Sequence, residues 1–423
     1  MISLKDPTFE LRKKFILKYT ELVKSFPLIN EIQNREFAFL FWDKNYMIRH
    51  RGFSNPQHFL SELKGVAPKH AYYSAALYKS PADKIMSDKG WFGCDFVVDI
   101  DSDHMDLSCQ KNHDFYICME CEYVSSENIT KCPKCEGAIR KQLWLCDECL
   151  QASKNEVIKL VDDFLPDFGF VKDNIVLNFS GHRGYHIHLR EDFIRSMNSD
   201  ERRQIVDYMT ATNFEPADFF MYKQSNGYFL GSTIDDPGWK GRIANNFLNV
   251  INKHDSIDSF DKEYGHLKLD PKIKQILFGT DKREILRNQL LKKSKFWTIK
   301  DVGKTGWEKI KNFLLAISKC DIDVPVSIDT HRLIRVQGSI HGKTGFIVKP
   351  LDYYEMINFQ PLSDPIVFSM DPKNLVKIEI TTPKCPEIRI QSEYYGPYSK
   401  GEKIDVPEAV GIFLACKGVA VII

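Results

Sequence analysis

A cysteine-rich segment constrains the fold of this 423-residue chain more than any other feature. Seven of the eleven cysteines lie between Cys109 and Cys149, and six of those seven form Cys-x2-Cys pairs. Such a pair places two thiolates on one tetrahedral zinc ion, and two pairs complete a structural site. The inner pairs are Cys118/Cys121 and Cys132/Cys135. They predict a short zinc ribbon.

The outer pair, Cys146/Cys149, needs two further ligands, and Cys109 and His113 stand just outside the ribbon. This nested arrangement uses every cysteine of the segment and one histidine for two zinc sites. Both sites are predicted to be structural, because a closed four-ligand shell leaves no position open for catalysis. Ten residues separate neighbouring pairs on both sides of Cys132 and Cys135, so the sequence alone also permits other pairings.

Residues 95–101 form a predicted strand that carries two carboxylates. Alternation sends Phe96, Val98 and Ile100 to one face and Asp99 and Asp101 to the other. The two carboxylates then project from the same side, roughly 6.5 Å apart along the strand. From there both can reach one cation or bridge two, as two-metal phosphoryl transfer requires. The alternative interpretation is a strand that has ended in a polar exit loop.

A glycine-bracketed turn over residues 180–184 joins two predicted strands, 174–179 and 185–189. Its glycines permit close backbone approach to a ligand, and Arg183 offers a planar fork suited to phosphate oxygens. Ser180 does not lie in a Gly-x-Ser-x-Gly nucleophile motif. We therefore interpret the turn as a phosphate-binding site, with a plain hairpin as the alternative.

Residues 327–345 combine one acid, three basic side chains, two histidines and three glycines. Asp329 is predicted to complete a carboxylate trio with Asp99 and Asp101, while His341 and Lys343 could meet a triphosphate. Glycine and lysine here do not form a P-loop, because the spacing is wrong and no helix clearly follows.

The formal charge of +1 gives no direct indication of a nucleic-acid partner, but the charge is unevenly distributed. Residues 268–311 hold thirteen basic and five acidic side chains in a segment with a helical pattern. This segment could follow a template backbone, or it could be a solvated helix face. Strands alternating with helices elsewhere predict an α/β protein.

Taken in order, these motifs resemble the catalytic small subunit of archaeal and eukaryotic-type DNA primases, the archaeal form most of all. The resemblance covers roughly residues 30–350. It rests on residues 96–101, the zinc motif ending at Cys149, residues 180–186, Asp329 with 332–335, and residues 338–343.

The resemblance implies an α/β primase-type fold with a mixed β-sheet core. The expected parts are a discontinuous catalytic core over 1–107, 150–235 and 312–400, a zinc-binding insertion over 108–150, a basic helical subdomain over 236–311, and an apolar C-terminal segment over 401–423.

The activity implied by the resemblance is synthesis of short primers from nucleoside triphosphates on single-stranded DNA, with Mg²⁺ or Mn²⁺ for catalysis and structural Zn²⁺. A large primase subunit is the implied heterodimer partner. The implied site residues are Asp99, Asp101 and Asp329 for the catalytic metals, Ser180, Arg183, His186, His341 and Lys343 for the nucleotide, and Cys109, His113, Cys146 and Cys149 for the family's zinc. The ribbon of Cys118, Cys121, Cys132 and Cys135 is then an insertion. His182 stands where some relatives have a second arginine, and it is assigned no role.

Two other functions fit parts of the sequence. A metal-dependent glycosyltransferase would use the Asp-x-Asp motif but would leave the zinc pairs unexplained. A non-catalytic, zinc-dependent nucleic-acid-binding module would leave the aspartates repelling a polyanion. Residues 1–7 lack the pattern of a secretory signal, and the apolar run 411–423 is too short for a membrane span. We therefore expect an intracellular, nucleoid-associated protein of the cytoplasm, without a membrane partner.

Overall fold

The computed structural model describes residues 8–213, 222–223, 229–279, 282–292, 297 and 302–423. The chain divides into two units. The first holds the described residues through Val157 together with Val171–Arg203 and Ile322–Ile423, and the second holds Ile158–Phe170 and Gln204–Asp321. The domain boundaries expected from the sequence stay a prediction.

Helices occur in both units. Within the described residues they are α1 (Phe9–Leu22), α2 (Pro56–Val66), α3 (Gln110–His113), α4 (Asp147–Lys159), α5 (Asp192–Arg195), α6 (Ser199–Thr210), α7 (Gly238–Lys253), α8 (Ile257–Tyr264), α9 (Pro271–Phe278), α10 (Lys282–Leu291), α11 (Lys304–Ser318), α12 (Val324–Ile328), α13 (Tyr353–Asn358) and α14 (Glu408–Cys416). No helix in this described part combines the length and apolarity needed to cross a membrane.

The strands of the first unit form several small sheets, and the second unit contributes β12 and β13. The strands are β1 (Phe37–Leu40), β2 (Met47–Arg51), β3 (His70–Ser74), β4 (Ala76–Tyr78), β5 (Trp91–Cys94), β6 (Phe96–Asp101), β7 (Phe115–Cys118), β8 (Val124–Ser125), β9 (Ile139–Gln142), β10 (Val176–Phe179), β11 (Gly184–Leu189), β12 (Tyr222–Lys223), β13 (Phe229–Leu230), β14 (Leu333–Arg335), β15 (Lys349–Leu351), β16 (Leu375–Ile380), β17 (Ile388–Ile390), β18 (Glu393–Tyr395), β19 (Lys403–Pro407) and β20 (Ala420–Ile422).

Two four-stranded sheets organise the first unit. One has the order β15-β10-β11-β6, and the other has the order β14-β3-β1-β2. The hairpin of β10 and β11 confirms the two strands predicted on either side of the glycine-bracketed turn. The predicted mixed sheet is wrong, because every pairing among the described strands of these sheets is antiparallel. Antiparallel neighbours of this kind need no βαβ crossover between them.

An apolar core covers the second of these sheets. Phe15 and Tyr19 of α1 pack in one cluster with Phe37 and Phe39 of β1 and with Ile412 of α14. The N-terminal helix α1 and the apolar C-terminal segment therefore pack in the same core. Burial of such side chains supplies most of the free energy that holds the elements together.

The strand predicted over residues 95–101 is present as β6, and Asp95 separates it from β5. β5 pairs with β4, whereas β6 pairs with β11. The Asp95 side chain is fully buried, and its carboxylate lies 2.9 Å from Arg35 Nη2, 3.1 Å from Arg190 Nε and 3.0 Å from Arg195 Nε. A buried carboxylate needs such donors, and the break in the strand accompanies their convergence.

Two helical segments lie next to the site. α4 continues at its end as the π-helix Leu160–Phe164, and the late segment of residues 327–345 begins at the end of the short helix α12. The described part of the basic segment is helical, in α9, α10 and α11, and its residues 280–281, 293–296 and 298–301 lie outside the described residues.

Asp95→Asn is expected to lower the free energy of unfolding by about 3–5 kcal/mol, because it leaves the buried Arg35 without its full counter-charge. Urea denaturation followed by circular dichroism measures the change. Asp106→Asn, at an exposed position, is the control and should alter stability by less than about 0.5 kcal/mol. Equal stability of the two variants would contradict the structural role of Asp95.

Candidate active site

The pairing of β6 with β11 brings the predicted carboxylates next to the glycine-bracketed turn. Asp99 lies opposite His186, and Asp101 lies opposite Gly184. A Cβ at Gly184 would come within 2.0 Å of the Ile100 carbonyl oxygen, so only glycine allows this approach. His186 Nε2 lies 3.7 Å from Asp99 Oδ1. The sequence-predicted carboxylates and the turn thus share one edge of the sheet.

The two carboxylates on β6 hold their protons unusually tightly. Desolvation, with the charge of Asp323, raises the pKa of Asp99 to about 6. Desolvation, with the charge of Asp103, raises the pKa of Asp101 to about 7. Crowded, partly dehydrated carboxylates favour the neutral form until a cation compensates them. This donor set of oxygens suits a hard divalent cation such as Mg²⁺ or Mn²⁺.

A third carboxylate, Asp323, adjoins Asp99. The Asp323 backbone N–H donates to the Asp99 carbonyl oxygen at 2.9 Å, and its side chain is one of the charges that act on Asp99. Asp323 immediately precedes α12. Asp323 was not predicted from the sequence as a site residue, although residues 321–323 repeat the Asp-Ile-Asp of residues 99–101.

Asp329, the third carboxylate predicted from the sequence, lies at the opposite end of α12. Its Oδ1 accepts a hydrogen bond from the His331 backbone N–H at 2.8 Å. The structure therefore places one aspartate at each end of this short helix, and the one bonded to β6 is Asp323.

The glycine-bracketed turn packs directly on the late loop that follows β14. Gly181 has a φ of +81°, and a Cβ there would lie 2.7 Å from the Cβ of His341. Thr344 Oγ1 donates to the Gly181 carbonyl oxygen at 2.6 Å. Ser180 Oγ accepts from the backbone N–H groups of His182 and Gly184, each at 3.3 Å. The turn that carries Ser180 and the loop that carries His341 are therefore in direct contact.

Three imidazoles form a stack beside this junction. The His182 ring stacks on the His341 ring at 5.3 Å and 17°, and the His70 ring meets His341 edge-on at 4.9 Å. Burial lowers the pKa of each of them well below its usual value, with further lowering by Lys417 at His182 and by Arg335 at the other two. The three rings are therefore neutral at neutral pH.

Positive side chains surround the imidazole stack. Arg335 Nη1 donates to His70 Nδ1 at 2.9 Å. Desolvation, with the charge of Arg335, lowers the pKa of Lys343, whereas Asp103 and Asp101 raise it. Lys343 thus lies within electrostatic reach of the carboxylate pair. Arg335 and His70 were not predicted as site residues, although Arg335 was one of the basic side chains noted in the late segment.

Arg183 is placed differently from the prediction of a phosphate-binding fork. Its side chain is fully buried, and its guanidinium donates to Asp103 Oδ1 at 2.6 Å, to Asp114 and to the Trp144 carbonyl oxygen. Asp114 Oδ1 also lies 2.8 Å from His113 Nδ1. Contact between Arg183 and a nucleotide stays a prediction, and in this structure Nε, Nη1 and Nη2 each already donate to an acceptor within the protein.

The structure assembles both predicted groups of cysteines. Sγ of Cys149 lies 3.4 Å from Sγ of Cys109 and 3.3 Å from Nε2 of His113. In the second group, Sγ of Cys118 lies 3.4 Å from Sγ of Cys135, and Sγ of Cys121 lies 3.5 Å from Sγ of Cys132. Tetrahedral zinc with ligand bonds of about 2.3 Å requires sulfur atoms about 3.8 Å apart. The two candidate metal groups are Cys109, His113, Cys146 and Cys149, and Cys118, Cys121, Cys132 and Cys135. The nested pairing is the one observed.

A further cluster of possible ligands consists of Asp101, Asp103 and His182. Two of its members already have partners in the protein, since Asp103 pairs with Arg183 and His182 bonds to Lys417. We assign no metal to this cluster.

Divalent cations are expected to stabilise the protein more at pH 7.5 than at pH 5.5. Because the pKa values of Asp99 and Asp101 are raised in the fold, the folded chain retains protons that the unfolded chain has lost. Stability of the metal-free protein therefore falls as pH rises from about 4 to about 7. A bound cation removes this cost. Melting temperatures with and without Mg²⁺ or Mn²⁺ at the two pH values measure the effect.

Asp99→Asn is the matched variant for that measurement. It should raise the melting temperature of the metal-free protein at pH 7.5, since one unfavourable ionisation disappears. It should also reduce the stabilisation by the cation. An identical cation-induced shift at both pH values in the unsubstituted protein would contradict the account.

Metal analysis of the purified protein should find two zinc ions per chain, one for each four-ligand group. Cys146→Ser and Cys118→Ser should each lose one ion while the other group retains its own. Loss of both ions from either variant would show that the two groups are not separate sites.

Comparison with known proteins identifies the family of this chain. The sequence model of the family described as DNA primase small subunit matches residues 138–353. The DNA primase small subunit PriS of Methanosarcina mazei is 30% identical, with 93% of this chain and 92% of that protein covered. Its counterpart in Methanothrix thermoacetophila is 31% identical, with 92% of both covered. The protein of the same name from Cenarchaeum symbiosum is 26% identical over 97% of both. The chain belongs to the DNA primase small-subunit family.

Proposed function

We propose that this chain is the catalytic subunit of a DNA primase and joins nucleotides into short primers on single-stranded DNA by two-metal nucleotidyl transfer. Three contacts support the proposal: β6 carries Asp99 and Asp101 beside the turn, Asp323 bonds to the Asp99 backbone, and the loop that carries Lys343 packs on the same turn. Carboxylates beside cations are the arrangement that binds a metal–triphosphate complex.

The catalytic cations, Mg²⁺ or Mn²⁺, would be held by Asp99, Asp101 and Asp323. Such ions, when bound, polarise an attacking 3′-hydroxyl and neutralise charge on the departing pyrophosphate. The protein contributes desolvated surroundings, in which an ionised carboxylate is unfavourable without a cation beside it. Binding of the cation therefore stabilises the ionised carboxylates. Asp329, predicted from the sequence as the third ligand, remains the competing assignment.

The incoming triphosphate would lie on the cationic side of this edge. Lys343 supplies a flexible positive charge, and Ser180, His186 and His341 supply short polar contacts beside it. Burial lowers the pKa of His186 to about 3, so His186 acts as a neutral group next to Asp99. Arg335 adds a fixed positive charge behind the imidazoles.

Arg183 would act as a positioning residue. Its guanidinium joins Asp103, which follows β6, to Asp114, which holds the imidazole of His113. Outer contacts of this kind orient metal ligands. The zinc group and the carboxylate edge are thereby fixed relative to one another.

The partners follow from the family. Relatives named DNA primase small subunit imply a large subunit in the same enzyme, a single-stranded DNA template and nucleoside triphosphates. The glycosyltransferase and the non-catalytic zinc module are set aside, since neither accounts for family membership.

Primer synthesis tests the assignment of the third carboxylate. Asp99→Asn, Asp101→Asn and Asp323→Asn should each lower the rate by at least about 100-fold, because each removes a negative ligand from a catalytic cation. Asp329→Asn should stay within about threefold of the unsubstituted protein. The assay uses a single-stranded template, labelled nucleoside triphosphates and Mg²⁺ or Mn²⁺, with the large subunit present.

Asp106→Asn, at an exposed position close in sequence, is the control and should retain full activity. Loss of activity in Asp329→Asn with normal activity in Asp323→Asn would reverse the assignment. Full activity in Asp99→Asn or Asp101→Asn would overturn the proposed mechanism.

A further inference from the structure

The C-terminal segment places a buried lysine beside the glycine-bracketed turn. Lys417 directly follows α14, and its side chain and backbone together are 6% exposed. Its backbone N–H donates to the Phe413 carbonyl oxygen at 2.9 Å, and its carbonyl oxygen accepts from Gln142 Nε2 at 3.0 Å. The backbone at this point is therefore held in place by the core helix and by the cysteine-rich segment.

The amine of Lys417 has two polar partners. Nζ donates to the Leu143 carbonyl oxygen at 2.8 Å and lies 2.9 Å from His182 Nε2. Within the described residues, no carboxylate forms an ion pair with it. Burial, together with the charge of Arg183, lowers the pKa of Lys417 well below its usual value. A buried amine without a counter-ion is costly, and an anion nearby would relieve that cost.

The bond to His182 determines the state of that imidazole. A protonated Lys417 can only donate, so in that state His182 Nε2 is the unprotonated acceptor and the imidazole proton lies on Nδ1. The same ring stacks on His341 at 17°, and His341 Nδ1 accepts from the Lys343 backbone N–H at 3.2 Å. A continuous series of contacts thus runs from Lys417 through His182 and His341 to Lys343.

We propose that Lys417 is a positioning residue for the incoming nucleotide. It fixes the orientation of His182, and through it the ring of His341, and binding of the triphosphate would favour the protonated, positively charged form of Lys417. The inference rests on the proposed role of His341 and Lys343 as nucleotide contacts. It adds to the site a residue from residues 401–423, which were predicted from the sequence only as an apolar C-terminal segment.

The test compares two buried lysines. Lys417→Met removes the donor to His182. Lys154→Met is the matched control, because Lys154 is also buried and donates to two backbone carbonyl oxygens, those of Ile357 and Phe359. Lys417→Met should raise the Kd for a non-hydrolysable nucleoside triphosphate with Mn²⁺, and the KM in primer synthesis, roughly tenfold, with kcat within about twofold. Lys154→Met should change neither constant.

A double substitution tests whether Lys417 acts through His182. His182→Phe should raise the Kd, and adding Lys417→Met to it should raise the Kd by clearly less than Lys417→Met does alone. Lys417→Gln, which keeps a neutral N–H donor, is measured in parallel, with folding checked by melting temperature and zinc content. Its Kd should lie between those of the unsubstituted protein and Lys417→Met.

Unchanged nucleotide affinity in Lys417→Met, or in Lys417→Gln where Lys417→Met does not fold, would overturn the inference. So would independent, multiplicative effects in the double variant. Failure of the proposed function is distinguishable, because it would show as full activity in the aspartate variants of β6, whereas the Kd measurement requires no turnover.

Discussion

The antiparallel pairing of β6 with β11 is the constraint on which the site depends. It places Asp99 beside His186 and Asp101 beside Gly184, and the absence of a side chain at Gly184 lets the two strands meet at that point. Carboxylates that would repel one another in an open loop are thereby held together at a partly dehydrated edge. Their raised pKa values are the cost of this arrangement, and a bound cation removes it.

The cysteine-rich insertion is joined to this edge by side-chain contacts as well as by the chain itself. The insertion begins just after β6 and ends in α4, and the chain then continues to β10 and β11. Arg183 spans the two parts, because it contacts Asp103 just after β6 and Asp114 next to His113, a member of the first candidate metal group. A structural metal site can in this way set the geometry of a catalytic one without contacting substrate.

Features encoded locally could be predicted from the sequence. Alternation identified the carboxylates of β6, and cysteine spacing favoured the two four-ligand groups while also permitting other pairings. Features that depend on distant contacts could not. Asp323 and Asp329 lie at the two ends of α12, and only the packing of that helix on β6 distinguishes them. Arg183 has the chemistry of a phosphate ligand, but its acceptors come from the insertion. Likewise, the break at Asp95 reflects arginines from separate segments of the chain.

The positions of bound cations test whether Asp99, Asp101 and Asp323 hold the catalytic metals. Crystals of the protein with Mn²⁺ and a non-hydrolysable nucleoside triphosphate, measured at the manganese absorption edge, reveal the ions by their anomalous scattering. Manganese is expected between Asp99, Asp101 and Asp323, with the triphosphate extending toward Lys343. Manganese held by Asp329, or by Asp103 and His182 with Asp99 and Asp323 unliganded, would contradict it.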